Sequence, residues 1–427
     1  MHVLYFTGAY RPDSMVSHTH GDLVAALRGR GISMEIVTIG SPHQSQAILT
    51  QHDRHGTRVS YLAPDSDPCD RLLRAWSARR WHFAPFISYK RALRRFFQNV
   101  PTGRFDLIHV GMAFPYATIV RHALEASSDA PPVIVTITGG DIAKDTSAAY
   151  GYGRTARMRR EIGQTLRWAD LVQANSPQSA RIVGEYGCPA DRIVVQPPHS
   201  PVAPISASEL AAFRQHAQEG LLATGSIPSG RLVIGLGRMV RIKGFHDVVH
   251  ALPAILEAQP DVTVLFAGPT RGADSKAYAA SLVSAARELG VEKHVIVRPQ
   301  IPADEVPLFL AAADIVIIPS LLDGLNKTGL EGAAVGTPSV VCRTAGISDY
   351  VMEYASGIVI PPSAPDEIAT AVIQMLGDRD SWLNASRAAT TMAEVFSLDR
   401  TAESIGQIYE SVSQAARFAK SPRPVGK

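Results

Sequence analysis

Cysteine is scarce in this 427-residue sequence: Cys69, Cys188 and Cys342 are odd in number and unpaired in spacing. That argues against a disulfide framework and for a reducing compartment. No cysteine and histidine cluster has the spacing of a zinc site. No apolar run approaches the ~18 residues that a membrane-spanning helix requires. The N-terminus, "MHVLYFTGAY", reads as a first strand rather than a signal peptide, so the expected location is cytoplasmic. Short-period repeats and low-complexity tracts are absent. Asp-x-Asp triplets occur only at Asp65–Asp67 and Asp378–Asp380, both in loop-like contexts that suit surface acids. With no carboxylate pair placed for a divalent ion, no metal and no resident cofactor are expected.

What is present is a globular composition: 46% hydrophobic and 19% charged residues, in a chain long enough for two cores. The net charge of +3 hides an asymmetry, since residues 1–200 carry +7 and the remainder −4. Residues 71–97, "RLLRAWSARRWHFAPFISYKRALRRFF", hold eight Arg and Lys, no acid, and interleaved aromatics. Such a stretch suits peripheral contact with an anionic membrane face or an acidic or lipid-linked acceptor; a solvated helical face fits equally well. Arg154, Arg157, Arg159 and Arg160 add a second basic set in the same half. A small overall charge and the lack of any nucleic-acid motif exclude nucleic acid as the expected partner.

Short apolar runs alternate with helical patterns throughout. In the first half the strand candidates are "HVLYFTG", "MEIVTIG", "DLIHVG", "VIVTITGG", "DLVQANS" and "RIVVQPP". In the second they are "LVIGLGR", "VTVLFAG", "HVIVRP", "DIVIIPS", "PSVVCR" and "GIVIP". Nearly apolar strands, each followed by a helix, indicate parallel sheets covered on both faces. The series restarts after the Pro-rich stretch "QPPHSPVAPIS". The predicted fold class is α/β, with two doubly wound Rossmann-like domains facing each other across a cleft. The expected boundaries are an N-terminal domain over 1–200, a linker over 201–229 and a C-terminal domain over 230–395. A terminal amphipathic helix over 396–418 is expected to pack back on the N-terminal domain, ahead of a disordered tail over 419–427.

Two segments carry chemistry. "PSLLDGLNKTGLEGAAVGTP", from Pro319 to Pro338, sets Asp323 and Glu331 eight positions apart around Asn326-Lys327-Thr328, which should open a short helix. A helix start presents unpaired backbone N–H groups to an anion. The segment therefore offers a phosphate site, a carboxylate for ribose hydroxyls and a carboxylate for a second polyol; a capped helix with two solvated acids remains the alternative. In "GLGRMVRIKGF", Gly237 ends a strand and is followed by Arg238 and Lys243, two cations suited to a diphosphate; a solvated loop with ordinary surface charges is the alternative. The third glycine of a dinucleotide fingerprint is missing at Val240, which weighs against a Rossmann oxidoreductase.

Together these fragments resemble the family-4 retaining glycosyltransferases (glycosyl transferases group 1) of the GT-B fold. "GLGRMVRIKGF", "VLFAGP", "AADIVIIPS", "DGLNKTGLEGAAVGTPSVV" and "GIVIPP" fall in the family's order and spacing. The resemblance implies a nucleotide-diphosphate sugar donor, UDP-linked in the common case, bound mainly by the C-terminal domain, with the acceptor bound mainly by the N-terminal one. It implies a metal-independent, retaining transfer to an acceptor hydroxyl. Arg238 and Lys243 then contact the diphosphate, Glu331 the ribose, and Asp323 with the following amides the donor sugar. Gly237, Leu325, Asn326, Lys327 and Thr328 complete the implied donor contacts, and Arg238, Lys243 and Asp323 the catalytic set.

The N-terminal half departs from the family pattern. Ser14 and Met15 stand where a Gly-Gly pair is usual. Thr136-Ile137-Thr138-Gly139-Gly140-Asp141 stands where Thr-x-His-Gly is common, so Thr138 supplies a backbone carbonyl but no imidazole. Asp323 is one methylene shorter than the usual Glu. Thr138, Gly139, Asp141, His109 and His18 are the N-terminal cleft candidates, with His109 also readable as a buried strand-end histidine and His18 as a surface one. Two alternatives share the motifs: a nucleotide-sugar epimerase on the same fold, and a non-catalytic nucleotide-sugar-binding protein.

Overall fold

A computed structural model describes residues 1–8, 10, 15–39, 48–63, 84–125, 127, 129–144, 150–270 and 272–418, with the side chains of 15–18 and 84–88 outside the description. The chain divides into two units, Met1–Pro197 with Leu398–Lys427, and Pro198–Ser397.

The first unit is built on β1 (His2–Thr7), β2 (Ser33–Ile39), β3 (Ile48–His52), β4 (Arg58–Leu62), β5 (Leu107–Val110), β6 (Val133–Thr136), β7 (Leu171–Ala174) and β8 (Ile193–Val195). They form one sheet in the order β3-β4-β2-β1-β5-β6-β7-β8, parallel except for β3 against β4. The six strands read from sequence are all present. Strand β3, "ILTQH", escapes the apolar pattern because it is a largely exposed antiparallel edge.

The terminal helix Leu398–Phe418 belongs to this unit. Its Ala402, Ile405 and Tyr409 are buried with Val24, Leu27 and Ile32. Of the basic stretch 71–97, the described end lies in helix Ala84–Asn99, where Leu93 and Phe96 are buried in the unit's own core and Arg91 and Arg94 are exposed. Residues 71–83 lie outside the described residues. No helix among the described residues is long and apolar enough to cross a membrane.

The second unit carries β9 (Arg231–Leu236), β10 (Val262–Ala267), β11 (Val295–Arg298), β12 (Ile315–Ile318), β13 (Ser339–Cys342) and β14 (Gly357–Ile360). All six are parallel, in the order β11-β10-β9-β12-β13-β14. Every residue of β12 is buried, as expected of a central strand covered on both faces. The order of strand addition reverses between β9 and β12: β10 and β11 lie on one side of β9, and β12, β13 and β14 on the other. Such a switch point is where doubly wound sheets bind ligands.

One expectation is corrected here. Residues 201–229 are not a linker: they contain helix Leu210–Ala223, whose Ala217 and Leu221 are buried in the core of the second unit. Arg214 of that helix lies 4.7 Å over the Trp382 ring and donates to Thr337 Oγ1 and the Ala313 carbonyl, each at 2.8 Å. Burial pulls its guanidinium down to about 10. The Pro-rich approach reads as a linker, but the helix behind it supplies apolar surface that the sheet's helices need to be covered.

Candidate active site

The loop after β9 turns through Arg241–Lys243 and enters helix Phe245–Ala258 at Gly244. Gly244 sits at φ 69°, and a Cβ there would lie 2.0 Å from the Pro319 carbonyl oxygen, which opens the loop after β12. The two loops are joined again by Leu321 N–H donating to the Ile242 carbonyl at 2.9 Å. Gly244→Ala is therefore expected to lower stability by about 1–3 kcal/mol, the scale of left-handed strain plus a steric clash, read as a lowered denaturant midpoint.

This close approach brings the predicted groups of the second unit together. Lys243 Nζ donates to Asp323 Oδ2 at 2.5 Å, with both side chains mostly shielded from water. Asn326 Nδ2 donates to the same oxygen at 2.9 Å. No hydrogen bond engages Asp323 Oδ1 among the described residues. The loop is braced from behind by Asp323 N–H to the Thr344 carbonyl at 3.2 Å and Gly346 N–H to the Asp323 carbonyl at 3.0 Å. Arg238 is exposed at the end of β9.

Asn326 adopts φ 80°, a left-handed geometry that asparagine tolerates better than most side chains. From that position its Oδ1 caps helix Lys327–Ala334 by accepting from Gly329 N–H at 3.2 Å. Thr328 Oγ1 donates to the Leu236 carbonyl at 3.3 Å, fastening the helix to β9. The Leu325 side chain is buried in the hydrophobic core and its carbonyl accepts from Ile347 N–H at 2.8 Å, so only its backbone could meet a ligand.

Glu331 lies in the second turn of that helix at 7% exposure. Among the described residues its carboxylate accepts no hydrogen bond and pairs with no cation within 4 Å. Burial pushes its carboxyl up to about 7, while Lys327 one turn earlier pulls the other way. Burial also lowers the Lys327 ammonium below the ordinary lysine range. A buried, unpartnered carboxylate costs stability unless a ligand supplies donors.

The candidates in the first unit divide differently. His109 leaves the cleft set for its other reading, a buried strand-end histidine: Nδ1 meets Tyr409 Oη and Nε2 meets Thr136 Oγ1, each at 2.6 Å. Burial pushes its imidazole down to about 3, so it stays neutral, and it ties the terminal helix to β5 and β6. Asp141 is corrected likewise. It is fully buried and accepts from Thr138 N–H at 3.1 Å, Gly139 N–H at 2.8 Å and Ala113 N–H at 2.9 Å. Burial raises its carboxyl, and these backbone donors oppose the rise. Asp141 shapes the turn that leaves Thr138 exposed with Gly139 at φ 103° behind it. The side chain of His18 lies outside the described residues. No group of three or more His, Cys, Asp or Glu is arranged to hold a metal among the described residues.

Two family models match in tandem. The one described as Glycosyl transferase 4-like domain covers residues 16–199, and Glycosyl transferases group 1 covers 224–392. The chain is similar to the D-inositol 3-phosphate glycosyltransferase of Nocardia farcinica, 31% identical over 59% of this chain and 55% of that protein. The alignment thus spans little more than half of that relative's length. Among solved structures, sucrose-phosphate synthase from Thermosynechococcus elongatus superposes with a TM-score of 0.76 at 16% identity, covering 97% of this chain and 99% of that one. Anabaena HepE in complex with UDP-glucose superposes with a TM-score of 0.69 at 18% identity, covering 96% of this chain and 100% of that one.

Proposed function

Because the chain belongs to the group 1 glycosyl transferases, with two Rossmann-like domains of the GT-B type, we propose that it moves a sugar from a nucleoside-diphosphate sugar to an acceptor hydroxyl with retention of anomeric configuration and without a metal ion. The observation that carries this reading is the cluster at the β9/β12 switch point: Arg238, the Lys243–Asp323 pair, the Asn326-capped helix and the unpartnered Glu331.

In this reading Glu331 accepts from the ribose hydroxyls and Arg238 and Lys243 face the diphosphate. As the anomeric bond breaks, negative charge grows on the leaving phosphate oxygen. Fixed cations there stabilise the transition state more than the ground state. Asp323 holds the Lys243 ammonium in place and turns its second oxygen toward a sugar hydroxyl. The leaving phosphate takes the acceptor proton on the same face of the sugar, which gives retention. HepE was solved in complex with UDP-glucose, which supports a uridine donor. The relatives' name, with its phosphorylated inositol acceptor, and the +7 charge of residues 1–200 support an acidic acceptor.

A thermal-shift screen of nucleoside-diphosphate sugars tests the donor assignment, since a ligand that binds only the folded chain raises its midpoint. At least one UDP-, GDP- or ADP-sugar is expected to do so, equally with and without EDTA, and turnover is expected to survive the chelator. Complete loss of turnover with EDTA, restored by manganese or magnesium, contradicts the metal-free chemistry.

A further inference from the structure

The cations Arg238 and Lys243 sit on one loop, and the backbone on either side of them is held by a helix that carries neither. Helix Ala273–Glu288 follows β10. Its Ser275 and Tyr278, three residues apart, lie on one face. Ser275 is buried, and its Oγ donates to the Met239 carbonyl at 2.7 Å, next to Arg238. Met239 N–H in turn donates to the Pro269 carbonyl at 3.3 Å, so both backbone groups of Met239 are engaged. Tyr278 Oη accepts from His246 N–H at 3.3 Å, three residues beyond Lys243.

The second contact answers a need that the local sequence creates. Helix Phe245–Ala258 begins at Gly244, which has no side chain with which to cap the orphan N–H groups of the first turn. A phenol from the neighbouring helix takes that place. His246 orients it: Nδ1 lies 3.3 Å from Tyr278 Oη, and Nε2 lies 3.2 Å from Asp247 Oδ1. A neutral imidazole keeps its proton on the side of the carboxylate. Nδ1 then accepts the phenolic hydrogen, and the phenol oxygen turns its lone pairs to the helix. Burial pulls the His246 imidazole below its ordinary range and pushes the Tyr278 phenol up to about 12, so both are neutral near pH 7.

Resting on the cation roles proposed above, we propose that Ser275 and Tyr278 are positioning residues of the transfer reaction, acting through Arg238 and Lys243. From the β12 side the same loop is held by Leu321 N–H on the Ile242 carbonyl at 2.9 Å and by Asp323 on Lys243. Helix Ala273–Glu288 grips it from the β10 side. A charge that is fixed before the phosphate departs stabilises the transition state without reorganisation, and a loop held on one side only loses that advantage.

The test is steady-state kinetics of Ser275→Ala and Tyr278→Phe in the full chain, with donor affinity measured separately by calorimetry. Tyr278→Phe is also made in the Lys243→Ala chain, and Ser275→Ala in the Arg238→Ala chain. Each substitution removes one hydroxyl and leaves the rest of the side chain in place. Each is expected to lower kcat about 10-fold at saturating donor while donor affinity changes less than about 2-fold. In the background that lacks the positioned cation, the same substitution should have little further effect on kcat, because coupled residues are not additive. Wild-type kcat in both variants, an equal loss of kcat and donor affinity, or effects that multiply with the loss of the cation overturn the proposal and leave the two residues a structural role. Should Tyr278→Phe fail to fold, Ser275→Ala decides by the same comparison. A wild-type chain that transfers no sugar from any donor overturns the transferase reading instead. Arg238→Ala and Lys243→Ala chains as active as the wild type overturn the cation roles on which the proposal rests.

Discussion

Replacing Lys243 by alanine is expected to lower turnover about 100-fold or more, the effect of removing one preorganised charge from a developing oxyanion. The ammonium is held by Asp323 at 2.5 Å in a mostly water-shielded position, so it needs no reorganisation when the phosphate departs. Arg238→Ala should fall in the same range, although Arg238 is exposed at the end of β9. Steady-state kinetics with a saturating donor separate the possibilities. A fall in kcat that carries through to kcat/KM marks a transition-state contact. A rise in KM with kcat intact shows that the cations bind the ground state alone.

Glu331→Gln should weaken donor binding by about 1.5–3 kcal/mol, the scale of a hydrogen bond to a charged group in a closed pocket. The amide keeps size and one acceptor oxygen but loses the charge that, under the proposed function, receives both ribose hydroxyls. A pH profile sharpens the test. Burial lifts the Glu331 carboxyl from 4.5 to about 7. The ionised form is the acceptor, so donor affinity should rise as pH climbs through about 7 and level off above it. The stability sign is the reverse for the empty chain: a raised carboxyl contributes stability at low pH that is lost as pH rises through about 7. Glu331→Gln should flatten the affinity profile. A variant with wild-type affinity and an unchanged profile removes the ribose role from Glu331. Asp323→Glu probes the other end of the segment. Under the proposed function its spare oxygen faces the sugar, so its longer reach is expected to change the choice among donor sugars while sparing the nucleotide.

The α/β alternation was legible because buried parallel strands leave continuous apolar runs such as "DIVIIPS", whose core Ile315–Ile318 is buried throughout. Strand β3 was not, since an exposed edge needs no apolar face. Helix Leu210–Ala223 was hidden behind prolines, and its weight lies in tertiary contacts such as Arg214 over Trp382. In the site, spacing suggested which residues to gather, but not their partners. That Lys243 and Asp323 form a pair depends on the approach of Gly244 to Pro319, two segments far apart in the chain. The left-handed geometry of Asn326 follows from its cap and its bond to Asp323, which spacing alone does not display. His109 and Asp141 carry the converse lesson. A polar residue at a strand end or in a loop has the same one-letter signature whether it meets substrate or backbone, and here it meets Tyr409, Thr136 and three amide groups.

The anomeric configuration of the product measures the central claim most directly. Incubated with the donor that raises its thermal midpoint and with a panel of polyol and phosphorylated polyol acceptors, the chain should release one nucleoside diphosphate per glycoside formed. The proton spectrum of that glycoside should show the same anomeric configuration as the donor, with EDTA present throughout. An inverted product, an epimerised nucleotide sugar, or tight donor binding with no turnover on any acceptor contradicts a retaining glycosyltransferase built on Arg238, Lys243, Asp323 and Glu331.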